Sequence, residues 1–211
     1  MQLSPGTYDP FWISAGTTGA IILNGDNANP RSYLIKNING GCINLAYGSL
    51  LYVQGISLEA TGQDAVDYDT WGVGLNVQQA AVIAFDSIAI GPCSWAGIRS
   101  GLSGILWPWQ AAATKFTIYG GGRVFGIADW SSNLTIVRNT ITIQNNPNYS
   151  QGFLYATMQG GVQAWNAVYS GTARGVRAVA DVYGIINING ASSTTIPGDQ
   201  PAITNRGGLI I

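Results

Sequence analysis

The chain has 211 residues, of which only 9% are charged and 46% hydrophobic, with nine Lys and Arg against ten Asp and Glu. Charged residues make up about 25% of a typical soluble domain. Such a surface offers neither the counterion-releasing face that nucleic acid requires nor the polybasic patch that an anionic membrane attracts, so both are disfavoured as partners. Histidine is absent, which excludes Ser-His-Asp, Cys-His and His-metal chemistries.

Met1 is followed by Gln2, Leu3, Ser4 and Pro5 rather than by a basic and then an apolar stretch, and no run of 18 apolar residues is uninterrupted. The expectation is no signal peptide and no membrane span. Short runs rich in Ile, Val, Leu, Tyr, Phe and Thr then follow one another between Gly and Asn turns. They cover 20–23, 33–38, 43–58, 81–90, 115–119, 123–127, 134–143, 152–158 and 182–188. Their composition and alternation predict strands. The helix-compatible stretches Val77 to Ala84 and Trp109 to Thr114 lack length and caps. The fold class is all-β.

An apolar-x-apolar pair recurs at Tyr33/Ile35, Ile56/Leu58, Ile88/Ile90, Phe116/Ile118 and Ile141/Ile143, in steps of 23, 32, 28 and 25 residues. A period near 25 is what one coil of a parallel β-solenoid requires, because each coil buries its inward side chains against its neighbours. The expected fold is a parallel β-helix of about six to eight coils, with Ile35, Leu58, Ile90, Ile118 and Ile143 stacked in one inward column. The next pair, at Ile188, comes after 45 residues and breaks the register. A β-sandwich or jelly roll is the alternative.

Cys42 and Cys93 are too far apart for a CxxC site and too few for a structural zinc site, leaving buried thiols or one disulfide. Asp64, Asp67 and Asp69, followed by Trp71, lie on one loop. They would bind a hard cation, supply an acid and a base to a glycan, or keep the loop solvated. Trp107-Pro108-Trp109 falls in 103–113, a stretch without strand pattern, and reads either as a stacking platform for sugar rings or as an apolar plug. Asp129-Trp130 pairs an acceptor with an aromatic face at a corner. Arg174 and Arg177 are spaced to grip a carboxylate or sulfate, or to make salt bridges between chains.

Leu3-Ser-Pro-Gly-Thr-Tyr8 resembles the "LPPGTY" segment that precedes the first coils of phage tailspikes and pectate-lyase-like right-handed β-helices. Asn39-Gly-Gly41, Gly120-Gly-Gly122, Ser131-Ser-Asn133 and the strand-turn-strand from Leu134 to Gln144 are similar to that family's coils. The resemblance implies a right-handed parallel β-helix over residues 1–190, a tail at 191–211 packing on partner chains, and a homotrimer in a virion tail appendage, released on host lysis. It further implies recognition of bacterial surface polysaccharide, with a polysaccharide depolymerase as the other reading. The family's lyases use calcium-binding Asp clusters with an Arg base and its hydrolases use paired carboxylates. Neither pattern can be matched here, so Asp67, Asp69 and Asp129 stand only as candidate acids, with Trp71, Trp107, Trp109, Trp130, Arg174 and Arg177 as candidate carbohydrate contacts. No metal and no cofactor is implied. A surface-binding array is disfavoured because Thr117, Thr135, Thr140 and Thr142 keep no constant coil spacing.

Overall fold

The computed structural model describes residues 1–13, 19–61, 72–109 and 115–211. Three strands make one coil. The first coil is β1 (Gly6–Tyr8), β2 (Phe11–Ile13) and β3 (Ala20–Asn24); the second is β4 (Tyr33–Asn37), β5 (Ile43–Leu45) and β6 (Leu50–Gln54). The third is β7 (Ser57–Ala60), β8 (Val73–Val77) and β9 (Val82–Asp86); the fourth is β10 (Ile88–Cys93), β11 (Ala96–Ser100) and β12 (Ile105–Pro108). The fifth is β13 (Lys115–Ile118), β14 (Gly122–Ala128) and β15 (Asn133–Thr135); the sixth is β16 (Thr140–Ile143), β17 (Asn148–Ala156) and β18 (Gly161–Gln163). The seventh is β19 (Val168–Ser170), the short β20 (Arg174–Gly175) with β21 (Ala178–Ala180), and β22 (Ile185–Asn187); β23 (Ile203–Thr204) and β24 (Leu209–Ile210) follow.

First strands pair only with first strands, second with second and third with third, giving three all-parallel sheets, I, II and III, in a β-solenoid of about 7 turns. Ile35 pairs with Leu58, Leu58 with Ile90, Ile90 with Ile118 and Ile118 with Ile143. All five are buried. The expected inward column is therefore present. It continues not at Ile188 but through β19, where Ile141 pairs with Tyr169 and Thr142 with Ser170, so that Gly171 takes the place after Ile143. A Cβ on Gly171 would lie 2.1 Å from the Ile143 carbonyl oxygen, so the coil closes too tightly there for another apolar side chain.

Val77 to Ala84, which lacks the length and caps of a helix, is the end of β8, a turn and the start of β9. The expected absence of a strand in 103–113 is corrected. Ile105–Pro108 is a strand, paired with both β9 and β15. The chain beyond residue 190 adds β23 to sheet II and β24 to sheet III, and between them and the seventh coil Ile196 is buried against the core.

The corner between sheets II and III is built alike in each coil from the second onward. Two successive residues adopt left-handed backbone: Tyr47 and Gly48, Gln79 and Ala80, Leu102 and Ser103, Trp130 and Ser131, Met158 and Gln159, Val182 and Tyr183, Arg206 and Gly207. Most are neither Gly, Asn nor Asp, the residues that accept this conformation at low cost. The stacked corners hold one another. Ala80 N–H donates to Leu102 O, Ser103 to Trp130 O, Ser131 to Met158 O, Gln159 to Val182 O and Tyr183 to Arg206 O, at 3.0–3.3 Å. The residue closing the turn must be small: a Cβ on Gly160 or Gly184 would sit 2.2 Å from the carbonyl oxygen of Ala128 or Ala156 one coil away.

Val182, β-branched at φ 45°, is the most strained of these residues by side-chain type. Val182→Asn is predicted to raise stability by about 1 kcal/mol by relieving that strain, read as a higher urea midpoint at unchanged slope. An unchanged or lower midpoint contradicts it.

Candidate functional site

Along β12 the side chains alternate, with Leu106 and Pro108 buried and Trp107 exposed. Trp109, two residues on, is exposed too. At 47% and 43% exposure these indoles do not fill the solenoid core, and they stand about 7 Å apart on the same face of one strand. Tyr52 and Trp107 both pair in register with Ala84, whose methyl leaves room for the larger rings. The Tyr52 ring lies 3.8 Å, centroid to centroid, from that of Trp109, tilted by 57°.

Two coils further along, about 10 Å away, Trp165 follows β18. The Arg138 guanidinium carbon lies 5.2 Å from the centre of its ring. Trp107, Trp109, Thr135, Arg138, Gln163 and Trp165 enclose a groove of about 430 Å³ on the outside of sheet III. Asn187 Nδ2 donates to Gln163 Oε1 at 3.0 Å, which fixes the amide and leaves its N–H groups as donors. Aromatic faces beside an anchored amide and a guanidinium suit a flat, hydroxyl-bearing ligand. Trp165 and Trp109 are 56 residues apart, twice the 28-residue step from Ile90 to Ile118. That spacing is the signal by which the sequence connects them.

The remaining sequence candidates do not join this groove. Asp67, Asp69 and Trp71, with Asp64, lie outside the described residues. Trp130 is exposed at the II–III corner, beside Leu102, Met158, Val182 and Tyr183, at the opposite end of the sheet III strands from Trp109. Asp129 is buried. It accepts from Arg99 Nε at 2.9 Å and Nη2 at 3.0 Å, while Arg99 Nη1 donates to Asn76 Oδ1 and Asn76 Nδ2 to Asn44 Oδ1, both at 3.0 Å. Burial pushes the Asp129 carboxyl up and the Arg99 guanidinium pulls it back. Its two oxygens are occupied by Arg99, so this carboxylate ties coils together. Arg174 and Arg177 share a separate cavity near the C-terminal end of the solenoid.

On sheet I, Glu59 pairs with Lys36 at 3.1 Å and accepts from the Tyr119 hydroxyl at 3.1 Å, which lies 2.7 Å from Ser57 Oγ. Burial pushes the Tyr119 phenol up. Each of these groups already has partners, so the cluster reads as structural. Cys42 and Cys93 are free and buried, and burial pushes both thiols up, Cys93 to about 12. The buried-thiol alternative therefore holds. Among the described residues no group of three or more His, Cys, Asp or Glu could hold a metal, and no helix is long and apolar enough to cross a membrane. No family model, curated protein or solved structure matches the chain.

Asp129→Asn keeps the shape but removes the negative charge that Asp129 presents to a fully buried guanidinium. It is predicted to cost about 3–5 kcal/mol of stability, measured by urea denaturation. A loss below about 1 kcal/mol would show that Arg99 finds another anionic partner.

Proposed function

We propose that the chain binds bacterial surface polysaccharide along the sheet III groove, as the receptor-binding part of a homotrimeric virion tail appendage of the tailspike kind. One observation carries this reading: two exposed indoles, Trp107 and Trp109, and the half-buried Trp165 line one groove with the anchored Gln163 amide. Sugar rings present an apolar face to stack on and a rim of hydroxyls for amides. A low-charge surface loses little by facing neutral glycan. The strands that carry the site are each paired on both sides, so little conformational entropy is lost on binding.

The groove runs across coils, from β12 to β18, so a chain of sugars lying along the solenoid axis meets Trp109 and Trp165 in succession. The second reading, a depolymerase, draws its support from the Asp67 and Asp69 loop. Incubation with capsular or O-antigen polysaccharide followed by sizing of the glycan separates the two. Binding of intact glycan supports the receptor reading, and release of defined oligosaccharides supports the enzyme. Trp107→Ala with Trp165→Ala is predicted to weaken glycan binding by about 100-fold, at roughly 1–3 kcal/mol per stacked ring, with little change in Tm. Unchanged binding eliminates the groove.

The trimer rests on exposed apolar surface. Trp130, Met158 and Tyr183 are 46%, 38% and 66% exposed along the II–III corner, a continuous patch of a kind soluble monomers avoid. Light scattering in dilute buffer is predicted to give about three times the 22.2 kDa chain mass; a mass near that of one chain contradicts the trimer.

A further inference from the structure

A second cavity, of about 680 Å³, opens where sheet I turns into sheet II in the seventh coil, walled by Asn146, Tyr169, Thr172, Arg174, Arg177 and Asp199 among others. Its volume lies within the range of small-molecule sites. Two of the side chains that line it each hold a buried polar atom with no hydrogen-bond partner, Arg177 Nε and the Tyr169 hydroxyl. Such donors each carry a desolvation cost that structures rarely leave uncompensated. Burial pushes the Tyr169 phenol up, so it stays a donor at neutral pH.

The charge in the cavity is net positive. Arg174 is exposed and Arg177 half-buried, and among the described residues no carboxylate lies within ion-pair distance of either guanidinium. Asp199 lines the same wall, but its Oδ1 accepts from the Gly175 N–H at 2.7 Å, leaving two cations against one partly committed carboxylate. Arg177 is held in place by Nη1 donating to Gln200 O at 3.2 Å. Around the charged centre stand hydroxyls and an amide: Thr172, Thr194, Thr195 and Asn146. Thr195 Oγ1 donates to Ser192 O at 2.8 Å, which leaves its lone pairs free to accept.

We infer that this cavity is a binding site for a carboxylate-bearing sugar. Arg177 and Arg174 hold the carboxylate, Tyr169 donates to an acceptor oxygen, and the Thr and Asn side chains take the ring hydroxyls. Charge-assisted bonds from guanidinium to carboxylate supply the affinity, and the polar rim distinguishes a polyol from a simple acid. The site shares no residue with the sheet III groove, so it stands or falls separately.

The test is titration of the whole chain with D-glucuronate, D-glucose and acetate, followed by calorimetry and by the Arg Nε–H and Thr methyl resonances. Glucuronate is expected to saturate, to bind more tightly than either comparator, and to shift the Arg177 Nε–H resonance. Arg177→Gln is expected to lower its affinity about tenfold or more, and Tyr169→Phe several-fold, with each variant's folding checked by its Tm. The double Trp107→Ala, Trp165→Ala variant is expected to titrate with glucuronate as the unaltered protein does, which separates this site from the groove. Absence of saturable glucuronate binding overturns the inference, as does equal affinity for glucose or acetate, or an affinity unmoved by Arg177→Gln in a folded protein.

Discussion

The hydrogen bonds of each coil run to the coils before and after it, and no described strand pairs with its neighbour in sequence as a hairpin. This constraint governs the rest of the molecule. A coil has no ladder of its own, so its conformation is whatever lets it lie in register on the adjacent coils, and an error in one propagates to the next. It also sets distance: residues about 25 positions apart in the chain come to lie about 4.8 Å apart in space. Local sequence neighbourhood therefore says little about which side chains meet.

The same constraint explains which features were legible in the sequence. Inward positions carry a demand that recurs once per coil, so the column from Ile35 to Ile143 shows as a repeat. The demand lapses where the backbone itself closes in, as at Gly171, and there the periodic signal stops. The II–III corner was illegible for the opposite reason. Residues such as Leu102, Met158 and Val182 have no preference for left-handed backbone, yet bonds between stacked corners impose it on them, so tertiary context overrides local propensity. Outward positions carry no periodic demand at all. Trp107 and Trp109 could be singled out by composition, but Trp165 and Gln163 become their neighbours only once the coil length is known.

Asp129 shows how a chain poor in charge uses the charges it has. Of the described acidic groups, Asp129 bonds Arg99, Glu59 bonds Lys36, and Asp181 bonds Arg206 Nε at 2.8 Å. Each pair joins different coils, where a directional contact fixes register in a way that apolar packing alone does not. In the Asp181 pair the Arg206 guanidinium holds the carboxyl below its ordinary value, so that contact is retained from neutral pH down to below the usual carboxylate range. The sequence places Asp129 and Trp130 together at a corner as an acceptor and an aromatic face, yet Trp130 is exposed while Asp129 itself turns inward to Arg99. Adjacent residues in this corner face opposite environments.

Arg174 and Arg177 differ from these three pairs, since among the described residues no carboxylate lies within ion-pair distance of either. Their cavity lies where the regular coil is interrupted: β20 and β21 replace the single long second strand of the sixth coil, and residues 191–202 intervene before β23. A regular solenoid face offers stacking surface but few concavities, because its strands are evenly spaced and its side chains point straight out. Concave, polar, charged sites require that regularity to fail. In the reading proposed above, the groove on sheet III would work by repetition, with like rings placed two coils apart, and the C-terminal cavity by irregularity, with two guanidiniums gathered in one concavity. A ligand combining a repeating neutral backbone with an occasional acidic residue would use both kinds of site, and a rigid scaffold holds them at fixed separation, so occupancy of one raises the effective concentration at the other.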